Sequence, residues 1–403
     1  PGILRNHTVL VSDGVITAMS PTEDTPLPPR VTPIDLAGQY LLPGFSDMHV
    51  HLTQTRDLQT FLQHGITRIR NMAGGPEYQS LIGIPHVPSL RRAIQRGEVL
   101  GPELTGCGPF LDGYPPENGL TTVIDTVAKA QDAVRQTVAA GYDCVKIYNR
   151  LKRPVFEAIV TEAKRWNIPV VGHIPYDVPL ERAITASVKS MEHLNAYLDL
   201  SSTDYRVAPE RWQAYAQQTA AAGLFNCPTL VLWEKYPPYE AFDTLTTDSR
   251  FAALPWYQQQ FWLASMPDAY DISYAPKADF AQTVLRKAKP LVKLLYDAGA
   301  PLLIGTDANF TGVYPGQTAL REMKLFAEVG IPHAAVLEAA TLNAARFVGQ
   351  EEKEGSIAVG KRAQLVVLSN NPLENMRAVY DTVGVMIQGR WFTVKDIRQR
   401  LSS

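Results

Sequence analysis

Cysteine is scarce: the 403-residue chain has three, Cys107, Cys144 and Cys227. They are odd in number, far apart and form no C-x-x-C pair. Neither a disulfide framework nor a thiolate zinc site is therefore expected, with a mild lean towards a reducing compartment. An excess of one charge is also missing. There are 38 lysines and arginines against 40 acidic residues, a formal net charge of −2, which points away from nucleic acid and from anionic membrane surfaces. No uninterrupted apolar run approaches the roughly 18–20 residues of a membrane-spanning helix. The chain begins at Pro1 rather than methionine. The expected location is cytoplasmic, or periplasmic or secreted if an upstream signal peptide has been removed.

What is present is ordinary for a soluble globular protein: 45% hydrophobic and 19% charged residues. The length suits one large barrel with a small companion domain, or two to three average domains. The first forty residues read as short strands. "HTVLVSDGVITAMSP" is two β-rich runs joined by Ser12-Asp13-Gly14, a hairpin signal. A proline-rich loop follows, and "VTPIDLAGQYLLPGF" resumes the strand pattern.

From Pro43 to about residue 350, short apolar runs alternate with segments of helical periodicity. The runs include "GITRIRNM", "GYDCVKIYN", "IPVVGHIP", "VKSMEHLN", "LFNCPTLVL" and "APLLIGTDAN". Helix-like stretches include Thr126–Ala140, Arg153–Trp166, Pro209–Ala222 and Lys277–Ala298. Such alternation argues for a parallel sheet with crossover helices, either a barrel or a doubly wound sheet. The placement of polar residues at the ends of the runs favours the barrel. Trp233 to about Pro276 breaks the rhythm with many aromatics, among them Tyr239, Trp256, Trp262, Tyr270 and Tyr274. It reads either as a lid over a barrel mouth or as an insertion on the flank. After Arg346, "GSIAVGKRAQLVVLS" and "VGVMIQGRWFTV" alternate like an antiparallel sheet.

The residues that carry chemistry sit at the ends of the apolar runs. In "LLPGFSDMHVHL", His49 and His51 are two apart, so a strand points both imidazoles to one side, half of a metal site. In "GYDCVKIYN", Cys144, Lys146 and Tyr148 should face the barrel interior, with Val145 and Ile147 towards the helices. A buried ammonium is costly, so Lys146 needs an ion-pair partner or a chemical neutralisation, as a Schiff base or as a carbamate formed with CO2. His173, His193 and Asp307 each follow or end another apolar run, where an unpartnered polar group would be expensive. His7, His64, His86 and His333 lie in loops or helix-like stretches and are given no role.

His-x-His, then a lysine, two single histidines and a late aspartate on successive strand ends resembles the amidohydrolase superfamily. The segments "IDLAGQYLLPGFSDMHVHL" and "AATLNAARFVG", with "GSIAVGKRAQLVVLSNNPL" at the tail, are similar to that family as well, so the likeness spans almost the whole chain. Within it the chain most resembles the imidazolonepropionase-like and Xaa-Pro dipeptidase (prolidase) branch, in which the lysine of a "G-x-D-x-x-K" strand is the bridging ligand. Two positions depart from the pattern. Asn71 stands where relatives often carry aspartate, and Gln364 stands in the usual "G-K-x-A-D-L".

The resemblance implies an α/β fold, a (β/α)8 TIM barrel over 44–354 with an aromatic-rich insertion around 233–276. It also implies a small β-sandwich domain formed by 1–43 and 355–403. It implies two divalent metal ions, with zinc expected and manganese, cobalt or iron open. His49, His51 and Asp307 would bind one ion and His173 and His193 the other, with CO2-carboxylated Lys146 bridging them. A metal-bridging hydroxide would attack an amide, with Asp307 as general acid/base and Tyr148 as an oxyanion donor or simply a packed aromatic. The expected substrate is a small molecule, a dipeptide or N-acyl amino acid, and a homo-oligomer is compatible with the chain. Two alternatives stay open: a single-metal cyclic-amide hydrolase or deaminase, a branch that normally lacks the lysine, and a non-catalytic binding relative, which would normally have lost ligands.

Overall fold

The computed structural model describes residues 2–75, 86–117, 120–200, 204–236, 242–269 and 280–402. Tyr239, Tyr270 and Tyr274 of the aromatic-rich stretch lie outside the described residues, as do residues 277–279 of the expected Lys277–Ala298 helix.

The parallel strands are β4 (Phe45–Val50), β5 (Ile66–Asn71), β6 (Glu103–Asp112), β8 (Cys144–Ile147), β9 (Val170–Gly172), β10 (Ser190–Glu192) and β11 (Phe225–Cys227). They are neighbours in chain order, and a short strand β7 (Thr121–Val123) pairs beside β6. Residues 301–308 close the ring between β11 and β4, through parallel bridges at Asn226↔Leu302 and Val50↔Ala308. Leu303 N donates to Asn226 O at 2.9 Å, and Met48 N to Ile304 O at 2.8 Å. The alternation read from the sequence is thus a (β/α)8 barrel rather than an open sheet. β8 and β9 are buried at every residue, as strands covered on both faces must be.

The helices follow the apolar periodicity closely. The expected helices over 126–140 and 153–166 are Val127–Ala139 and Arg153–Arg165. The first is capped by Thr126, whose side chain accepts from Lys129 N at 3.2 Å. One run changes type: "TLVL" continues the β11 strand in sequence, but Thr229 takes a left-handed φ of 51° and Leu230–Lys235 is helical. Among the described residues no helix is long and apolar enough to cross a membrane.

The chain ends supply the antiparallel structure. β1 (His7–Ser12) and β2 (Val15–Pro21) form the expected hairpin, turning at Asp13 and Gly14, both at positive φ. β3 (Tyr40–Pro43) pairs with β12 (Leu365–Leu368), followed by β13 (Thr382–Ile387) and β14 (Arg390–Thr393) in a four-stranded sheet. Residues 31–35 stay outside any strand, so the strand pattern resumes only at Tyr40. A closing helix, Val394–Ser402, was not legible as one.

The cysteines correct the sequence reading. Cys107 and Cys144 form a disulfide, and Cys227 is free and buried. Chain spacing could not show this pairing, because the barrel itself sets Cys107 opposite Cys144 on adjacent parallel strands. Together with Met48, Met72, Val171, Cys227 and Leu303 they form a sulfur-rich cluster inside the barrel.

Candidate metal centre

Every residue singled out for a metal site lies where a barrel strand ends. His49 and His51 are on and just past β4, Lys146 on β8, His173 and His193 directly after β9 and β10, and Asp307 in the closing segment. Close backbone approach makes room for this. A Cβ on Gly172 would fall 2.2 Å from Ile147 O, and one on Gly305 2.2 Å from Cys227 Sγ and 3.0 Å from His49 Cβ. Two of the candidate residues hold left-handed backbone, His193 at φ 57° and Asp307 at φ 67°. Such conformations cost about 1–3 kcal/mol each and concentrate at functional sites.

The side chains converge. Asp307 Oδ1 lies 2.9 Å from His51 Nε2 and 3.2 Å from His49 Nε2. The imidazole centroids run His51–His49 at 5.4 Å, His49–His193 at 4.6 Å and His193–His173 at 4.8 Å. Tyr148 stacks on His173 at 4.2 Å, Phe110 meets Tyr148 at 5.4 Å, and His51 lies 5.7 Å from Phe110, which closes a circuit of six rings. Lys146 Nζ stands 5.8 Å and 5.9 Å from the Phe110 and Tyr148 rings.

Hydrogen bonds behind the imidazoles determine which nitrogen faces inward. His49 Nδ1 donates to Glu192 Oε2 at 2.8 Å. Thr229 Oγ1 donates to Pro228 O at 2.8 Å and so accepts from His193 Nδ1 at 2.6 Å. Asn149 donates from Nδ2 to Glu117 at 2.5 Å, which turns its Oδ1 to accept from His173 Nδ1 at 3.1 Å. Each ring therefore keeps its proton on Nδ1 and presents the Nε2 lone pair to the site.

Electrostatics agree. Burial holds His173 well below the usual imidazole range and lowers His193 to about 3. Burial also pushes the Lys146 ammonium down to about 8, against the pull of Glu192 and Asp307. It raises the Asp307 carboxyl, but His49 and His51 outweigh it and keep that group well below the carboxylate range. The lowered imidazoles of His173 and His193, an ionised Asp307 carboxylate and a lysine pushed down to about 8 suit the donor set of a divalent cation. His49 Nε2, Lys146 Nζ and Asp307 Oδ1 are among the buried atoms that make no hydrogen bond. Buried polar atoms left in this state call for a ligand. The residues present therefore fit divalent ions; the ligating atoms of His49, His193 and Asp307 already lie within 4.8 Å of one another.

Sequence reasoning missed the residues behind the candidate ligands. Arg70 and Glu192 are fully buried and paired at 2.9 Å. Asp47 accepts from Thr306 Oγ1 at 2.7 Å and Thr306 N at 3.1 Å, and so steadies the residue before Asp307. It lies two residues before His49 on a strand, a spacing that could have revealed it. Glu192, beside His193, had no such signal. Asn71, the departure from the family pattern, uses Oδ1 to accept from Leu52 N at 2.8 Å, tethering the loop after His51. The aromatic insertion is fastened at the mouth. Buried Trp262 donates from Nε1 to Asn309 O at 2.8 Å, and Tyr257 donates to Thr53 O at 2.8 Å.

The amidohydrolase family model matches residues 40–392, so the chain belongs to the amidohydrolase family. It is a hydrolase by membership. It is 25% identical to the ochratoxinase of Aspergillus niger over 449 residues, covering 95% of this chain and 81% of that one. The solved bottromycin amidohydrolase superposes with a TM-score of 0.77 at 27% identity, covering 98% of this chain and 85% of the other. A Xaa-Pro dipeptidase shares the fold, with a TM-score of 0.71 at 21% identity and coverages of 96% and 94%.

Proposed function

We propose that the protein is a binuclear metal-dependent hydrolase that cleaves the amide C–N bond of a dipeptide or an N-acyl amino acid. The observation that carries this reading is the convergence of buried His49 Nε2, Lys146 Nζ and Asp307 Oδ1, none of which makes a hydrogen bond, inside a wall of four imidazoles, of which His49, His173 and His193 are tied back through Nδ1. The named activities of the relatives, an ochratoxinase, a bottromycin amidohydrolase and a Xaa-Pro dipeptidase, support it.

His49, His51 and Asp307 would hold one ion, His173 and His193 the other, and Lys146 would bridge them. The neutral Lys146 amine would form an N–C bond to CO2 and release one proton, which would convert an isolated nitrogen into an anionic two-oxygen ligand. Divalent ions held there, zinc by the imidazole and carboxylate donors, would supply an activated water near neutral pH and polarise the scissile carbonyl. Asp307 would take the water's proton on a carboxylate oxygen and return it to the leaving nitrogen. Tyr148, stacked on His173, would donate its hydroxyl to the oxyanion.

A single-metal hydrolase or deaminase is the second reading, favoured by the tight grouping of His49, His193 and Asp307 without Lys146. A panel of dipeptides and N-acyl amino acids, assayed for amine release with wild type and Lys146→Ala, separates the two. Turnover that depends on Lys146 supports the binuclear reading; turnover indifferent to Lys146 supports the single-metal one.

A further inference from the structure

Resting on the binuclear reading, the three imidazole supports are unequal. His173 leans on a neutral amide oxygen, Asn149 Oδ1, which also accepts from Asn195 Nδ2 at 3.3 Å. His193 leans on the neutral hydroxyl of Thr229. His49 alone of these three leans on a carboxylate, Glu192, at 2.8 Å. That carboxylate is itself held from several sides, with Ser190 Oγ donating to its Oε1 at 2.5 Å. Arg70 donates from Nη2 to both Glu192 oxygens at 2.9 and 3.0 Å, from Nη1 to Ser190 Oγ at 2.8 Å, and from Nε to Met48 O at 2.5 Å. Its guanidinium also lies 4.6 Å above the Phe347 ring. The Arg70 side chain thereby joins β4, β5 and β10 beneath the site.

We propose that Glu192, held by Arg70, is a positioning residue that makes the His49 side of the centre bind its divalent ion more tightly than the His173 side. The physical reason is twofold. An anionic hydrogen-bond acceptor on Nδ1 raises the electron density that Nε2 offers to a metal, whereas a neutral acceptor does so less. The clamp also fixes the ring orientation before an ion arrives, so less ordering is lost on binding. On the other side, the Asn149 oxygen is shared between two donors, and its amide is held from Glu117 in the loop after β6. The two ions would therefore load in order, the His49 side first.

The test is a zinc titration of the chelator-stripped full chain in bicarbonate buffer, read by competition with a chromophoric chelator. Wild type should show two binding events separated by at least about tenfold. Glu192→Gln should weaken the tighter event by about 10–100-fold and leave the weaker one unchanged. Asn149→Ala should do the reverse. Losing one partner of a buried ion pair threatens folding, so the double variant Arg70→Met, Glu192→Gln, which removes both charges, is measured alongside, with circular dichroism as the control. If Glu192→Gln or the double variant folds and keeps the tighter constant, or weakens both events alike, the proposal is overturned. Two wild-type events of equal affinity overturn it while leaving the binuclear reading intact. No zinc uptake by wild type overturns the binuclear reading itself, and this proposal with it.

Discussion

The two ends of the barrel solve the problem of buried polar groups in opposite ways. At the end where the strands start, charges are paired off. Arg68 meets Glu354, which also lies 3.5 Å from Arg362; Gln364 donates to Glu103 at 3.1 Å, and Ser46 donates to Ala340 O at 2.7 Å. At the end where the strands finish, His49 Nε2, Lys146 Nζ and Asp307 Oδ1 are buried and left without hydrogen bonds. Asp307 and His193 there also hold strained left-handed backbone. The first arrangement lowers the free energy of the fold; the second raises it, and persists only if something else uses it. The difference assigns stability to one end and chemistry to the other.

The sharpest way to break this contrast is at Lys146. Lys146→Ala should lower amide hydrolysis at least ~100-fold, about 2.7 kcal/mol of transition-state stabilisation, while leaving the melting temperature close to wild type, and small carboxylic acids should restore part of the rate. Full activity in the variant would remove the reason for its burial. The opposite result is expected at the other end. Glu354→Ala leaves buried Arg68 unpaired and should cost about 3–5 kcal/mol of stability, read as a lowered denaturation midpoint. Its kcat/KM well below that midpoint should stay within about twofold, since surrounding contacts near the site are untouched. A large rate loss without a stability loss would erase the distinction between the ends.

Two smaller effects sharpen it. Trp262→Phe removes one hydrogen bond to Asn309 O, two residues from Asp307, worth about 1 kcal/mol. A several-fold fall in kcat/KM at nearly constant stability would place the insertion with the chemistry; a pure stability loss would place it with the scaffold. Glu322, fully buried, accepts from Leu230 N at 2.9 Å and Val231 N at 2.7 Å at the start of the helix that follows Thr229. Burial raises its carboxyl from 4.5 to about 8. Its folded value lies above its unfolded one, so its contribution to stability is full below pH about 4.5 and is lost as pH rises through about 8. Melting temperature against pH should therefore slope downward across that window more steeply in wild type than in Glu322→Gln. Equal slopes would show that Glu322 does not titrate there.

Much of this could be read before folding. The period of apolar runs predicts the strands, and the polar residues that end them are the ones the barrel brings together, because both follow from local geometry. Glu192, Arg70 and the Cys107–Cys144 bond are different. Their partners are set by which strands the barrel brings side by side, 122 residues apart for Arg70 and Glu192 and 37 for the cysteines. The closing segment 301–308 read as a strand, yet it joins its neighbours by only isolated bridges as it bends to place Asp307. Asp47 was legible in principle, two residues before His49, but a lone aspartate carries no signal until Thr306 is known to face it.

The most direct test of the account is metal content per chain, measured by plasma mass spectrometry on wild type and Lys146→Ala purified side by side without chelator. The account predicts close to two divalent ions in wild type and a clear deficit in the variant. A wild-type protein that holds none, even after incubation with zinc and bicarbonate, would contradict it.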